Sequence, residues 1–183
     1  MSTISASAVK ELREMSGAGM MDCKKALTEA SGNLEDAIDI LRKTGIAKAR
    51  KKSGRSTKEG LVFPYIHPGS KLGVLLEINC ETDFVANTDD FKDLCKDISM
   101  HIAASAPMSV TREEISLDVL DREKAIYDDQ ARQSGKPENI IEKVTEGRLN
   151  KLYQENVMVE QSFVKDPYKT VNDLITETVA KLG

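Results

Sequence analysis

Residues 60–91 read GLVFPYIHPGSKLGVLLEINCETDFVANTDDF. Two β-rich runs, 60–67 and 72–84, flank the turn-forming Pro68-Gly69-Ser70, a spacing that predicts a hairpin. Pro64 marks the first run as an edge strand or the seat of a bulge, because proline has no N–H to give a ladder. The second run, Leu72 to Asn79, is apolar enough to lie centrally in a sheet. The pattern then turns helical: Thr88 is placed to cap a helix with Asp89 and Asp90 in its first turn. Phe91, Leu94, Cys95, Ile98 and Ile102 fall on its inner stripe, and Pro107 lies beyond its end. Thr82-Asp83-Phe84 therefore sits at a strand-to-helix corner, and such corners lie at the surface.

Toward the amino terminus, residues 1–45 read as three short helices. Ser5 caps the first, Ile4 and Val9 are spaced as a hydrophobic staple, and Gly17 stops it. Asp22 is placed to cap the second, with Ala26, Leu27 and Ala30 inward and Gly32 as its stop. Asn33 caps the third, with Leu34, Ala37, Ile38 and Leu41 on one stripe and Gly45 closing it. Helices of about ten residues are marginal alone, so the three must pack as a minimal bundle. Residues 46–59 form the sharpest composition shift: from Arg42 to Lys58 the chain carries eight basic residues and no acidic one. That stretch reads as a solvated linker, or as a docking surface for an acidic partner or RNA.

Toward the carboxyl terminus, residues 60–183 form the rest of an α+β protein. Thr111-Arg-Glu-Glu114 is a capping box, a polar helix runs from about Asp118 to Gln133, and Gly135 stops it. Pro137 suits the first turn of the next helix, with Ile140, Ile141, Val144 and Leu152 inward. Val157 to Val164 reads as a third strand. Thr170 opens a last helix with Val171, Leu174, Ile175, Val179 and Leu182 as its apolar face. The expected core is a small, mainly antiparallel three-stranded sheet covered by helices.

Composition narrows the function. The 183 residues carry 26 Lys+Arg against 30 Asp+Glu, a net charge of −4 that gives no overall attraction to nucleic acid or anionic lipid. Four Phe, four Tyr and no Trp are too few for an obvious base-stacking platform. No apolar run approaches the roughly 20 residues of a membrane span. The amino terminus lacks the apolar segment of a secretory signal. Cys23, Cys80 and Cys95 are odd in number and without a CxxC, which argues for reduced thiols in a cytosol-like compartment. With only His67 and His101, no zinc-ligand spacing is present, and no metal or cofactor is expected. Gly-rich phosphate loops, nucleophile elbows and HExxH are absent from the sequence. Cys80 with a histidine and the carboxylates of Glu81 or Asp83 is the one set a cysteine enzyme could use, yet its apolar strand context suits an inert small hydrophobe. At the corner the residue types leave two fates open for Phe84. It folds back as a core plug, or it is held out beside the acceptor Asp83 as a binding hot spot.

Two segments settle a resemblance. Leu12-Arg13-Glu14-Met15-Ser16-Gly17-Ala18-Gly19-Met20-Met21-Asp22-Cys23-Lys24-Lys25-Ala26-Leu27 and Glu77-Ile78-Asn79-Cys80-Glu81-Thr82-Asp83-Phe84-Val85-Ala86-Asn87 closely resemble the two signatures of bacterial-type elongation factor Ts. The likeness continues, in the family's order, through His101–Ser105, Ser134–Pro137, Glu146–Arg148 and Phe163–Pro167. It implies a guanine-nucleotide exchange factor for elongation factor Tu, acting in the cytoplasm, or in an organelle after loss of a transit segment. The three amino-terminal helices would be a ubiquitin-associated-like module docking through Leu12, Met20 and Met21. Thr82, Asp83, Phe84 and Val85 would reach the partner near its Mg²⁺ and phosphate-binding loop, with Phe84 as wedge and Asp83 as polar anchor. His67, in a Tyr-Ile-His-Pro-Gly hairpin, would touch another partner domain. The chain looks like the short form, with one core and no inserted coiled coil, and short forms are expected to pair as homodimers. It stops at Lys181-Leu182-Gly183, before the basic, aromatic-rich strand that usually follows in the family, which leaves either an exposed sheet edge or a truncated product. The rival from another class is an RNA- or ribosome-binding scaffold built on the basic stretch; the resemblance makes nucleic acid and membrane partners unexpected.

Overall fold

The computed structural model describes residues 4–52 and 54–182; Ser53 of the expected linker, residues 1–3, residue 183 and the side chain of Arg50 lie outside the described residues. The described chain forms two compact units that do not follow chain order. The first comprises Met1–Phe63, Leu76–Lys96 and Asp173–Gly183; the second comprises Pro64–Leu75 and Asp97–Asn172.

In the first unit, α1 (Ala6–Ser16), α2 (Met20–Glu29) and α3 (Leu34–Lys52) bury Val9, Leu12, Cys23, Ala26, Leu27 and Ala37 in one cluster, with Ile4 packed against it. The caps follow the side chains. Ser5 Oγ accepts the Ala8 N–H at 3.1 Å, Gly17 ends α1 at φ 66°, and Asn33 Oδ1 accepts from the N–H of Glu35 at 2.9 Å. Two expectations fail. Helix α2 starts at Met20 after Gly19, and Asp22, instead of capping it, sits in its first turn and accepts a bond from Lys48 Nζ at 2.7 Å. Helix α3 does not stop at Gly45 but runs on through the basic stretch to Lys52. Ala, Lys and Arg are strong helix formers, and one interior glycine costs only about 1 kcal/mol. Gly45 serves packing instead: a Cβ there would lie 3.0 Å from the Cβ of Ala180 in α8 (Val171–Leu182).

Strands β1 (Glu59–Ile66) and β2 (Gly73–Cys80) pair as a hairpin, closed by the His67 N–H donating to the Leu72 carbonyl at 2.9 Å. Pro64 is tolerated because each strand of a two-stranded sheet is an edge. Gly60 is required where the strands crowd: at φ 155° a Cβ would meet the Asn79 Cα at 2.8 Å. Cys80, Ala86, Phe91 and Cys95 form a second buried cluster, with Leu61, Phe63, Ile78, Val85 and Leu182 against it. It pins β2, the single turn α4 (Asp83–Ala86) and the start of α5 (Asp89–Ser105) together.

In the second unit, a 3₁₀ turn at Arg112–Glu114 precedes α6 (Leu117–Gln133) and α7 (Glu138–Asn156). Ile141 turns inward on α7 as expected, whereas Ile140 is exposed and Thr145 takes the buried position, bonded to Asp128. The expected three-stranded sheet is not formed by the described residues, which make two separate two-stranded sheets. Val157–Val164 breaks up instead. Val157 bridges in parallel to Ser109, Met158–Glu160 turns as a 3₁₀ helix, and only Ser162–Phe163 (β3) pairs, antiparallel, with Asp166–Thr170 (β4). Buried Gln161 causes the break, since its side chain joins His101 at 2.9 Å and the Glu155 carbonyl at 2.7 Å.

Candidate functional site

Local hydrogen bonds fix the corner at the end of β2. Cys80 Sγ donates to the Thr82 carbonyl at 3.1 Å, and Thr82 is extended (φ −140°, ψ 153°) with Oγ1 accepting the Val85 N–H at 3.4 Å. Asp83 Oδ1 accepts the Phe84 N–H at 2.9 Å, and the Asp83 carbonyl accepts both the backbone and the side-chain N–H of Asn87. Thr88 Oγ1 then bonds the Val85 carbonyl at 2.8 Å and accepts the Phe91 N–H at 3.2 Å, joining α4 to α5. Ala86 is buried and Val85 half-buried on the second cluster, so the turn is held from beneath. Arg55 reaches both oxygens of Glu81 at 3.2 and 3.3 Å, tying the end of the basic stretch to the residue before the corner. On this scaffold Phe84 points outward, 82% exposed. The core-plug fate is excluded.

The docking residues divide. Met20 and Met21 open α2 and are 48% and 63% exposed, whereas Leu12 is 0% exposed and belongs to the helical core. Leu12 is buried because on α1 it shares the inward face with Val9. Met15, at the end of α1 and 60% exposed, joins the surface methionines; its i+3 offset from Leu12 would put it on the inward face, so the helix period did not reveal it. His67 is exposed at the hairpin turn, with Nδ1 3.1 Å from the Tyr65 hydroxyl.

The cysteines carry no sign of a nucleophile. All three are buried and outside any disulfide, and burial, followed by the neighbouring Cys80 thiol, pushes the Cys95 thiol upward. Among the described residues no three His, Cys, Asp or Glu side chains are grouped to hold a metal ion, and no helix is long and apolar enough to cross a membrane. An exposed aromatic on a braced turn, and exposed thioethers at the end of α1 and the start of α2, are side-chain types suited to contact with another macromolecule.

The chain belongs to the elongation factor Ts family, whose model, described as "Elongation factor TS", matches residues 2–182. It is 59% identical over 180 residues to elongation factor Ts of Fervidobacterium nodosum, an alignment covering 98% of this chain and 91% of that one. Elongation factor Ts of Geobacter sulfurreducens is 58% identical over 181 residues, covering 99% and 84% of the two chains. The Desulfosudis oleivorans protein of the same name is 52% identical over 183 residues, covering 100% and 92%.

Proposed function

We propose that this chain binds elongation factor Tu and speeds release of its GDP so that GTP can load, without covalent chemistry or a cofactor of its own. Elongation factor Ts is the nucleotide exchange factor for elongation factor Tu in translation elongation, and we infer that this chain works in the cytoplasm. The observation that carries the residue-level reading is the outward Phe84 on its hydrogen-bonded corner. Phe84 acts as a wedge near the partner's Mg²⁺ and phosphate-binding loop. Asp83 anchors beside it, and Thr82 and Val85 hold the turn. Met20 and Met21, on a ubiquitin-associated-like three-helix module, provide the docking contact, and His67 touches a further partner domain.

The mechanism is linkage. If the chain binds best to a GTPase with disturbed metal and phosphate contacts, it weakens nucleotide by the same factor that nucleotide weakens it. A thousandfold weakening requires about 4 kcal/mol of differential contact. A desolvated aromatic hot spot supplies roughly 2 to 4 kcal/mol, which is the scale needed. Stopped-flow release of fluorescent GDP from elongation factor Tu tests this, with wild type against Phe84→Ala: the variant stays folded and loses most of the acceleration.

The RNA-binding alternative is weakened by what the basic stretch does: Lys48 is paired with Asp22 and Arg55 with Glu81. We also infer homodimerisation of the short form. Its support is the uncovered apolar surface of the distal hairpin, where Ile66, Leu72 and Leu75 are exposed, and sedimentation over a concentration series measures it.

A further inference from the structure

Met15, Met20 and Met21 expose three thioethers within seven residues, interrupted only by Ser16-Gly17-Ala18-Gly19. A thioether needs no deprotonation to be oxidised, so its reaction with a two-electron oxidant follows access to the sulfur. Among the described residues of this unit the other sulfurs are buried, with Cys23 and Cys95 0% and Cys80 8% exposed, and burial raises the Cys95 thiol further from thiolate. Met158 is buried in the second unit, where Met108 is 60% exposed. Oxidation converts a flexible apolar side chain into a polar sulfoxide, which changes a Met-lined contact far more than it changes a core beneath it. The buried layer here is Leu12, Cys23, Ala26 and Leu27, none of which the exposed sulfurs replace.

We propose that the Met15, Met20 and Met21 corner is a peroxide-responsive modification site that turns down docking on the GTPase. This rests on the docking role given above to Met20 and Met21. In the step, the O–O bond of hydrogen peroxide breaks and one oxygen bonds to the thioether sulfur. Sulfur loses two electrons, the peroxide is reduced, and its second oxygen leaves as water with both protons.

The test treats the full chain with hydrogen peroxide, locates added oxygen by peptide mass mapping, and measures affinity for elongation factor Tu before and after. Wild type with sulfoxide at the three positions should bind at least about tenfold more weakly, keep its thermal midpoint, and recover with methionine sulfoxide reductases A and B. Met15→Leu/Met20→Leu/Met21→Leu, whatever its own baseline affinity, should hold that baseline through a treatment that still oxidises Met108. Unchanged affinity with the three sulfoxides mapped overturns the proposal, as does an equal loss in the triple leucine variant. Met20→Lys/Met21→Lys separates the layers. If it binds as tightly as wild type, the docking role falls and the switch with it; if it binds weakly while mapped sulfoxides do nothing, only the switch falls.

Discussion

Leu12 and Met21 share one signature segment but differ in burial: Leu12 is sealed in the helical core and Met21 lies at the surface. Leu12→Ala opens a cavity in a three-helix core with few buried side chains, and should cost about 2–5 kcal/mol in urea unfolding. Met21→Ala removes a side chain that is 63% exposed, so stability should move by less than about 0.5 kcal/mol while affinity for elongation factor Tu falls. The sequence pattern could have separated them, since Leu12 lies three residues after Val9 on the inner stripe of α1. Phe84 was harder to read. Phenylalanine is usually buried, and its outward direction depends on a chain of bonds from Cys80 through Thr88 that no periodicity encodes.

At the scale of elements, glycines and one glutamine mark where pattern reading stops. Gly17 ends a helix as its type suggests, but Gly45 lies inside α3 because α8 passes close by, a tertiary demand invisible in one dimension. Gly45→Leu should therefore force α3 off Ala180 and destabilise the fold by about 1–3 kcal/mol in thermal or urea melts, despite leucine's better helix propensity. The hairpin and α5 were legible because alternation and a Thr-Asp-Asp start are local signals. The third strand was not, because Gln161 spends its side chain on His101 and bends the chain there. Beside that bend, Arg112 donates to both oxygens of Glu160 and lies 4.2 Å over the Tyr153 ring. The hydrogen bonds from Arg112 hold the Glu160 carboxyl below the usual range, against partial desolvation pulling it up. A depressed folded pKa stabilises above the ordinary Glu value and loses that stabilisation as pH falls through the folded one. Glu160→Gln should cost at most about 1 kcal/mol at pH 7, because the pair is partly solvated. The gap to wild type should narrow below about pH 4.3 and close once folded Glu160 is itself protonated, as followed by urea unfolding across pH.

For the molecule as a whole, charge and contact chemistry point the same way. The net charge is −4, and two cations of the basic stretch are neutralised by Asp22 and Glu81. Binding to elongation factor Tu through an aromatic and methionines should weaken by less than about tenfold between 50 and 200 mM salt in a titration series. A surface gripping six to ten phosphates would lose about 10³–10⁵ over that range. The central claim is that one exposed ring, braced by its turn, loosens a GTPase's hold on nucleotide. Stopped-flow release of fluorescent GDP from elongation factor Tu reads it directly, with wild type and Phe84→Ala compared at matched, saturating concentrations. The account predicts many-fold acceleration by wild type and a loss of roughly 30-fold or more in the variant, with its melting curve unchanged, matching about 2 kcal/mol or more from the ring. A folded Phe84→Ala that releases GDP as fast as wild type contradicts it.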